Sequence, residues 1–535
     1  MSITKLGLDL QRLPAPLPIW RAQLGLEAWA DKGRQIAALG GRLISLWGRE
    51  AGERSRGQPV TQIACAAYGL QDGLLYLEAP LAAGQALPDL SSTFPFAGRM
   101  QRGLQDLLGL PTAGAHDSRP WLDHGLWGDG PAPLLRTAAT HETAATTAAA
   151  AATAAALPRH YPFIRVEGEG VHEVAVGPVH AGIIEPGHFR FSVVGEKVLR
   201  LEQQLGYTHK GVERRFGELA PLDAYRLAGR VSGDSTVAFG WAYCMALESA
   251  WGAVIPLRAA WLRALLLERE RVANHLGDLG SLGNDAGLGF GLVQFSRLRE
   301  QWQRLSKQVF GHRLLMDVIV PGGVSVDPSA PLLALLSAQC EAMAREVQTL
   351  RAVYDAHAGL QDRFLGTGRV TPALAAQLGL TGLAGRASSQ ARDLRCDHDW
   401  LPYDSLDISM ATQRSGDVAA RVAIRFDELL ESMRLLRALC RQLPDGPVHQ
   451  ELIQPAATST TATAARTGMG WVEGWRGEVL VGLQLSADGR IQRCHCHDPS
   501  WQNWPVLEHA VIGNILPDFP LINKSFNLSY AGHDL

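Results

Sequence analysis

The segment LRAAWLRALLLERERVANHLGDL, residues 257–279, decides the fold class of this chain. Apolar residues recur in it every three or four positions with Arg and Glu between them, which is typical of an amphipathic helix. The same pattern occurs over residues 292–310, 331–360 and 418–443. Because each of these helices needs a partner for its apolar face, the four together predict a bundle that forms the core.

Strand patterns lie on both sides of the predicted helices. Residues 161–201 alternate short apolar runs with Gly and Pro, which predicts a small antiparallel sheet at one end of the bundle. Near the other end of the sequence, two strand-like runs flank the Asp488-Gly489 turn. The predicted fold class is therefore α+β, with a long-helix bundle core and small antiparallel sheets.

Two tracts rich in Ala and Thr divide the chain. The first tract, residues 137–158, predicts a linker, and the second, residues 456–466, predicts an insertion at the surface, because neither supplies large apolar side chains. Residues 1–136 contain a strand-like pair at 60–67 and 74–78 and a helical stretch at 98–109. They predict a small α+β domain with a role in assembly, placed ahead of a main domain at 159–535.

Composition limits the classes of partner. The chain has 535 residues, 46% of them hydrophobic, and its 50 basic residues are offset by 53 acidic ones, so no basic surface for nucleic acid is expected. The most apolar region, 241–267, is interrupted by Glu248, Pro256, Arg258 and Arg263, which predicts no direct membrane span. The first 21 residues lack a signal-peptide pattern, so we expect a cytoplasmic protein.

The seven cysteines are scattered, and only Cys494-His-Cys-His497 has the ligand spacing of a metal site. The segment follows a predicted hairpin turn, so its Cys and His side chains should point to opposite faces of a strand. We therefore predict that this segment is structural and binds no metal.

Seven segments, in order, resemble one family. From residue 161 onward the chain resembles the large subunits of group 4 nickel–iron hydrogenases, of the formate hydrogenlyase and hydrogenase-4 kind, and the related D-type (49 kDa-type) subunit of respiratory complex I. Residues 1–136 resemble the C-type (30 kDa-type) subunit, fused ahead of the D-type part. The matching segments of the main domain are Gly177-Pro-Val-His180, Gly206-Tyr-Thr-His-Lys-Gly-Val-Glu213, Glu268-Arg-Glu-Arg-Val-Ala-Asn-His275, Pro321-Gly-Gly-Val324, Asp393-Leu-Arg395 with Tyr403-Asp404, Gly416-Asp417 and Glu473-Gly-Trp-Arg-Gly-Glu478.

The resemblance also identifies what is missing. Hydrogenases of this family hold nickel and iron on the cysteines of R-x-C-G-x-C-x-x-x-H and D-P-C-x-x-C. The four ligand positions fall here on Ser232, Ser235, Ser500 and Asn503, and the histidine position falls on Phe239. Hydroxyl and amide groups are weak ligands for soft metals, so the resemblance implies no metal on this chain, as in the energy-converting-hydrogenase-related complexes. If the two segments converge, we expect a small polar pocket.

In complex I the equivalent cavity binds the quinone headgroup, where a His paired with a carboxylate suits proton delivery. The resemblance assigns Asp285 to the family's Asp and His180 to the first His of its loop, while the second His has no secure counterpart and the family's Tyr position falls on Leu227. His180 and Asp285 are thus candidate quinone-site residues. In the competing interpretation, Asp285 caps the next helix and His180 is a solvated turn residue.

Other charged residues near these motifs carry predictions of their own. Arg230 either forms an ion pair with Glu185 or Asp234, or lies beside the cluster of a partner subunit and tunes its potential. Glu473 and Arg476 are expected to form a salt bridge with each other. His275 is expected to be a hydrogen-bonded core residue.

The resemblance implies a subunit of a membrane-associated complex I-like or hydrogenase-related oxidoreductase, held on the inner face of the cell membrane by its partners. Those partners would be a small [4Fe-4S] subunit and ion-translocating membrane subunits, with electrons passing from the cluster toward a quinone or an unknown acceptor. No G-x-G-x-x-G follows a strand, so NAD binding is a property of the family's complexes and is not expected here. A non-catalytic scaffold is the alternative, and an active hydrogenase is disfavoured by the missing ligands.

Overall fold

The computed structural model describes residues 3–51, 62–128, 130–135, 161–455 and 465–535. The Ala/Thr-rich tract at 137–158 and most of the tract at 456–466 lie outside these ranges. The predicted linker, the predicted insertion and the domain boundaries that depend on them therefore stay predictions.

The N-terminal region folds as a sheet with two helices. The elements are β1 (Gln11–Leu13), β2 (Ile19–Gln23), α1 (Leu26–Ala38), β3 (Arg42–Glu50), β4 (Gln62–Leu70), β5 (Gly73–Leu81), β6 (Leu87–Pro88), α2 (Ala97–Leu108) and β7 (Thr112–Ala113). Its main sheet has the strand order β1-β2-β5-β4-β3, with β2 parallel to β5 and the other neighbours antiparallel. Helix α2 ends just before Gly109, so it agrees with the helical stretch predicted at 98–109.

The main domain begins with a three-stranded antiparallel sheet, as predicted, and continues mostly in helices. Its strands are β8 (Val171–Val176), β9 (His188–Val194), β10 (Lys197–Gln204), β11 (Ile319–Val320), β12 (Gly323–Val324), β13 (Arg466–Glu473), β14 (Glu478–Leu485) and β15 (Ile491–His497). Its helices are α3 (Val212–Arg215), α4 (Tyr225–Ala228), α5 (Thr236–Trp251), α6 (Leu257–Asp285), α7 (Gly289–Phe310), α8 (Ala330–Ala356), α9 (Ala358–Phe364), α10 (Pro372–Gln377), α11 (Gly382–Arg386), α12 (Leu394–Asp397), α13 (Val418–Gln442), α14 (Ser500–Ala510), α15 (Phe519–Phe526) and α16 (Tyr530–Asp534).

The predicted bundle is confirmed: α6 packs on α7 and α13, and α8 packs on α13. One predicted helix is wrong in extent, because residues 331–360 do not form a single helix. His357 interrupts it with a non-helical backbone, and its ring accepts a hydrogen bond from the backbone N–H of Leu360 to cap α9. The apolar residues keep their helical spacing across this break, so the sequence pattern did not indicate where the helix ends.

Helix α5 is a central element that the sequence pattern did not reveal. All 16 of its residues are buried, so it has no polar face and no amphipathic period. It lies against β13 of the sheet β13-β14-β15. The two backbones touch at Gly468 and Gly470, where a Cβ would come within 2.0 Å of the carbonyl oxygen of Ala246 and 1.8 Å of that of Ala242.

The N-terminal region shares its core with the main domain. Trp47 of β3 stacks on His495 of β15 with ring centroids 4.7 Å apart, and Ser45 is hydrogen-bonded to the same imidazole at 2.8 Å. Arg493 also donates to the backbone carbonyl of Gly48 at 3.0 Å. These contacts hold the N-terminal region against the final sheet of the main domain, and its predicted role in assembly stays a prediction.

None of the helices in the described ranges carries an apolar stretch long enough to cross a bilayer.

We expect Gly470→Ala to destabilise the protein, because the new methyl group collides with backbone of α5 that cannot rotate away. Overpacking of this kind costs on the order of 3 kcal/mol. Thermal unfolding of the purified protein should show a clearly lowered melting temperature. Gly240→Ala on the same helix is the control, since its Cβ has no neighbour within 4 Å and should leave stability unchanged or slightly raised. Equal melting temperatures for the two variants would contradict the close packing of α5 on β13.

Candidate functional site

The two segments that carry the former ligand positions converge. Ser232 and Ser235 lie just before α5, and Ser500 and Asn503 lie in the first turn of α14. All four are buried, with 5%, 3%, 0% and 2% of their surface exposed. The proximity expected from the resemblance is confirmed.

Ser529, at the start of α16, joins the two segments. Its hydroxyl lies 2.9 Å from the Ser232 hydroxyl, and its backbone N–H donates to the Ser500 hydroxyl at 2.9 Å. The same Ser529 hydroxyl accepts from the backbone N–H of Gly532 at 2.8 Å. A side chain from a third segment therefore lies where the expected pocket would need open space.

Charged groups complete this cluster. Ser232 donates to Asp234 at 2.7 Å, and Asp234 forms a bidentate pair with Arg476 at 2.8 and 2.6 Å. Arg476 also donates to the Ser235 hydroxyl at 3.3 Å. Burial raises the pKa of Asp234, but Arg476 and the Ser232 hydroxyl outweigh it and hold that pKa below its ordinary value. Asp234 is thus an ionised anchor of the cluster.

Asn503, the fourth ligand position, is directed elsewhere. Its amide exchanges two hydrogen bonds with the backbone of Thr381, accepting at 3.1 Å and donating at 3.2 Å. Phe239, at the former histidine position, is fully buried within α5. Asn503 thus fixes the backbone at Thr381, and Phe239 contributes to the apolar core.

The donor set does not fit a nickel–iron centre. It consists of three hydroxyls and one amide, each already hydrogen-bonded within the protein, and none is a thiolate. Asp498 Oδ2 is a buried oxygen of this region with no hydrogen-bond partner among the described residues, but one oxygen alone is no site for a soft metal. Within the described ranges, no three His, Cys, Asp or Glu side chains are grouped so that they could hold a metal ion.

Cys494-His-Cys-His497 lies in β15, as predicted, and both of its imidazoles contact side chains of the protein. His495 pairs with the buried carboxylate of Glu213 at 2.7 Å. His497 is hydrogen-bonded to Gln502 at 3.0 Å.

Two predicted ion pairs are wrong. Arg230 pairs with neither Glu185 nor Asp234, but forms a bidentate pair with Asp317 at 2.6 and 2.7 Å. Its partner lies 87 residues away in the chain, and the pair is partly exposed. Asp317 comes from the loop after α7. The short distance in sequence between Arg230 and Asp234 therefore did not predict the ion pair that Arg230 forms.

Glu473 and Arg476 do not pair with each other. Glu473 ends β13 and accepts from Arg386, whereas Arg476 lies beyond the strand and reaches Asp234. The tight turn between β13 and β14 sends the two side chains to different neighbours.

The structure does not join the candidate quinone-site residues. The His180 Nε2 is hydrogen-bonded to the carbonyl of Gly187 at 2.8 Å, within its own loop. Asp285 is the last residue of α6, half-buried, and it does not cap α7, whose N-cap is Leu288. No hydrogen bond or ion pair found in the described ranges connects His180 with Asp285. Burial raises the pKa of Asp285 above its ordinary value despite the opposing charge of Lys524.

A buried ionic network next to this site was missed by sequence reasoning. Arg386 donates to Glu428 at 2.8 Å and to Glu473 at 2.9 Å, and Arg395 pairs with Asp393 at 2.6 Å and with Glu268 at 3.0 Å. The Arg271 guanidinium lies 3.3 Å from Glu268, and His275 is hydrogen-bonded to Glu428 at 2.9 Å, so the prediction for His275 is confirmed. The network comprises eight residues, each at most 3% exposed: Glu268, Arg271, His275, Arg386, Asp393, Arg395, Glu428 and Glu473.

The network has one carboxyl group more than it has guanidinium groups. Its four acids are Glu268, Asp393, Glu428 and Glu473, and its three arginines are Arg271, Arg386 and Arg395. Burial lowers the pKa of His275, so the imidazole does not supply the missing charge. Burial first, and the neighbouring Asp393 second, raise the pKa of Glu473 to about 8. Glu473 is thus the one acid of the network whose pKa is raised, since those of Glu268, Asp393 and Glu428 are lowered by the neighbouring guanidinium groups.

The fold and this site define a class: a large subunit of the hydrogenase and complex I type, with three serines and one asparagine at the metal-ligand positions of the hydrogenases. The family model described as "Respiratory-chain NADH dehydrogenase, 49 Kd subunit" matches residues 285–534. The chain is 30% identical to the carbon monoxide-induced hydrogenase of Rhodospirillum rubrum, over 66% of this chain and 97% of that protein. It is 29% identical to formate hydrogenlyase subunit 5 of Escherichia coli (strain K12), over 84% of this chain and 76% of that protein.

A solved structure agrees with these relatives. The membrane-bound sulfane sulfur reductase, an archaeal respiratory membrane complex, contains a chain with a TM-score of 0.62 and 25% identity. The match covers 69% of this chain and 99% of that one. The present chain therefore belongs to the family that unites the complex I 49 kDa-type subunit with the large subunits of membrane-bound hydrogenases. It is a large-subunit-type member of the complex I-like and hydrogenase-related oxidoreductases.

We expect Glu473 to contribute a loss of stability as the pH rises from about 5 to about 8, and Glu473→Gln to remove that contribution from the pH dependence of the protein. The pKa of Glu473 is raised from 4.5 to about 8, so between these values the folded state holds a proton that the unfolded chain has lost. The contribution is complete below the lower pKa and is lost as the pH rises to the higher one, at about 1.4 kcal/mol per pH unit at most.

Melting temperatures measured across this pH range would check the expectation. The exposed Glu451→Gln is the matched control and should keep the slope of the unmodified protein. A Glu473→Gln slope equal to that of the control would show that Glu473 is ionised in the folded state.

Proposed function

We propose that this chain is the metal-free large subunit of a complex I-like respiratory complex that is bound to the membrane through its partners. In this proposal it takes electrons from the [4Fe-4S] cluster of a small partner subunit and passes them toward a quinone or another acceptor, in a process coupled to ion movement. The chain works without a nickel–iron centre. The observation that carries the proposal is the closed cluster of Ser232, Ser529 and Ser500 at the former metal site.

Chemistry supports the absence of nickel and iron. A serine hydroxyl keeps its proton at neutral pH, whereas a thiolate forms readily and donates strongly to soft metals. Ser232 and Ser500 are also engaged with Ser529, so coordination would cost existing buried hydrogen bonds. The Asp234–Arg476 ion pair beside them provides internal charge balance, which a metal cation would disturb.

The loop between β8 and β9 supports a partner-facing surface. Val179 and Ile183 of this loop are 76% and 84% exposed, and Ile184 beside them is 36% exposed. Grouped apolar side chains at the surface are a feature of protein interfaces. Since His180 lies in the same loop, a partner bound there would cover the candidate quinone-site residue.

A non-catalytic scaffold is the second candidate, and one observation favours it. His180 is held by Gly187 within its own loop and is not joined to Asp285, while Leu227 takes the position of the family's Tyr. Without a connected proton donor, the subunit would transmit structural change from the cluster-bearing partner to the membrane subunits.

Metal analysis of the purified complex tests the first part of the proposal. We expect iron from the partner's clusters and nickel well below one atom per chain, because the four ligand positions offer no thiolate. Elemental analysis of the intact complex, normalised to the concentration of this chain, is the measurement. Stoichiometric nickel that copurifies with this chain would overturn the proposal.

Asp285→Asn separates electron transfer from scaffolding. If Asp285 delivers protons to a quinone, the variant complex should lose quinone-dependent electron uptake by on the order of 100-fold, because an amide cannot act as a general acid. The matched control is Asp362→Asn, which alters an exposed aspartate on α9 and should retain full activity. The measurement is the oxidation rate of the chemically reduced cluster after quinone is added. Unchanged uptake in Asp285→Asn would favour the scaffold.

A further inference from the structure

Arg269, on α6, is a buried cation with no carboxylate partner. It is 1% exposed, and its Nε and Nη2 donate to the Ser306 hydroxyl at 3.2 and 2.8 Å. The Nη2 also donates to the Trp302 carbonyl at 3.0 Å and to the Gln339 amide oxygen at 3.3 Å. The guanidinium stacks 4.0 Å over the Trp302 ring. All of these neighbours are neutral.

The remaining nitrogen, Nη1, has no hydrogen-bond partner among the described residues. Arg421 is also fully buried, and its guanidinium donates only to neutral acceptors. Its three guanidinium nitrogens all donate, to Ser525 and to the carbonyls of Gly416 and Gly368. The protein therefore buries an arginine without an ion pair when all three of its guanidinium nitrogens donate hydrogen bonds. Arg269 differs, because its Nη1 donates none within the described ranges.

Arg269 lines a cavity of about 90 Å³ between α6, α7 and the loop that follows α7. A cavity of roughly 10–15 Å³ is enough for one water molecule, so this cavity has room for a group of several heavy atoms. Arg299 and Arg313 also line it, and the Nε of Arg299 is a second buried donor without a partner in the described ranges. Asn274 and Gln303 add polar groups to the wall.

No neighbouring acid neutralises Arg269. Of the acids that line the cavity, Asp234 is committed to Arg476 at 2.6 Å. The other, Glu270, accepts from the backbone N–H groups of Val237 and Ala238, and burial raises its pKa to about 8, so it is mainly uncharged at neutral pH.

The thiols near Arg269 are neutral as well. Burial raises the pKa of Cys340 to about 12 and that of Cys440 to about 11. An arginine stays protonated in proteins, and an unpaired buried charge is costly. Arg313 of the wall is paired with Glu300 at 2.6 Å, which leaves the charges of Arg269 and Arg299 without an ion pair in the described ranges.

We propose that this cavity binds a small tetrahedral oxyanion of the phosphate or sulfate class, held by Arg269 together with Arg299. The planar guanidinium presents paired N–H donors that match such oxygens, and bonds between charged partners are the strong ones in proteins. The site borders Gly233 and Asp234, so the anion would lie beside the polar cluster that replaced the metal ligands. This inference does not depend on which acceptor the complex reduces.

Calorimetric titration of the purified complex with sodium phosphate and with sodium sulfate tests the proposal, with ionic strength held constant by sodium chloride. We expect one saturable site per chain and at least tenfold weaker binding in Arg269→Gln. Arg304→Gln is the matched control, since Arg304 lies on α7 with its side chain 75% exposed and should leave the affinity unchanged. No saturable binding in the unmodified complex, or equal affinity in Arg269→Gln, would overturn the site.

A second variant keeps the test valid if Arg269→Gln does not fold, which circular dichroism would reveal. Arg299→Gln changes a partly exposed residue of the same wall and should weaken phosphate binding severalfold while the melting temperature without phosphate stays the same. Phosphate binding that survives Arg299→Gln at full strength would place the anion elsewhere and overturn the assignment.

Discussion

The pairing of Arg386 and Arg395 with four buried carboxyl groups is the constraint on which the main domain depends. The two cations tie together α6, α13 and β13, because Glu268, Glu428 and Glu473 come from those three elements. Taking charges out of water is expensive, and their attraction compensates only when the geometry is complete. Loss of one partner would leave an uncompensated charge in the core, so the network fixes the relative positions of the helices more strictly than apolar contacts would.

The ionic network also positions the chain segments at the former metal site. Arg271 of the network donates to the backbone carbonyls of Glu473 and Gly474, and two residues further along the chain Arg476 pairs with Asp234. The loop that carries Ser232 and Ser235 is therefore held by the same framework that holds the ionic network. The four positions that correspond to the hydrogenase ligands thus stand in a fixed framework, although none of them carries a thiolate.

Sequence reasoning succeeded where a pattern repeats or a motif aligns. The bundle helices were predictable because their apolar faces recur with the helical period, and the convergence of Ser232 with Ser500 followed from the resemblance. Helix α5 was not predicted because it is buried on all sides and has no amphipathic period. The contact of Ser529 with Ser232 was not predicted because the two residues lie 297 positions apart and Ser529 belongs to neither motif. The partner of Arg230 was equally remote, since nothing in the local sequence points to Asp317.

The position of Ser529 has an evolutionary consequence. Its hydroxyl and its backbone N–H are both bonded to the groups that stand at two of the lost ligand positions. Restoring cysteines at 232, 235, 500 and 503 would therefore not restore a metal site, because the segment that begins α16 would still occupy the space between them. Reversal would require the displacement of that segment as well, and point substitutions alone do not achieve it. The contact of this segment with both Ser232 and Ser500 is in this sense an obstacle to a metal site that is separate from the side chains at the four positions.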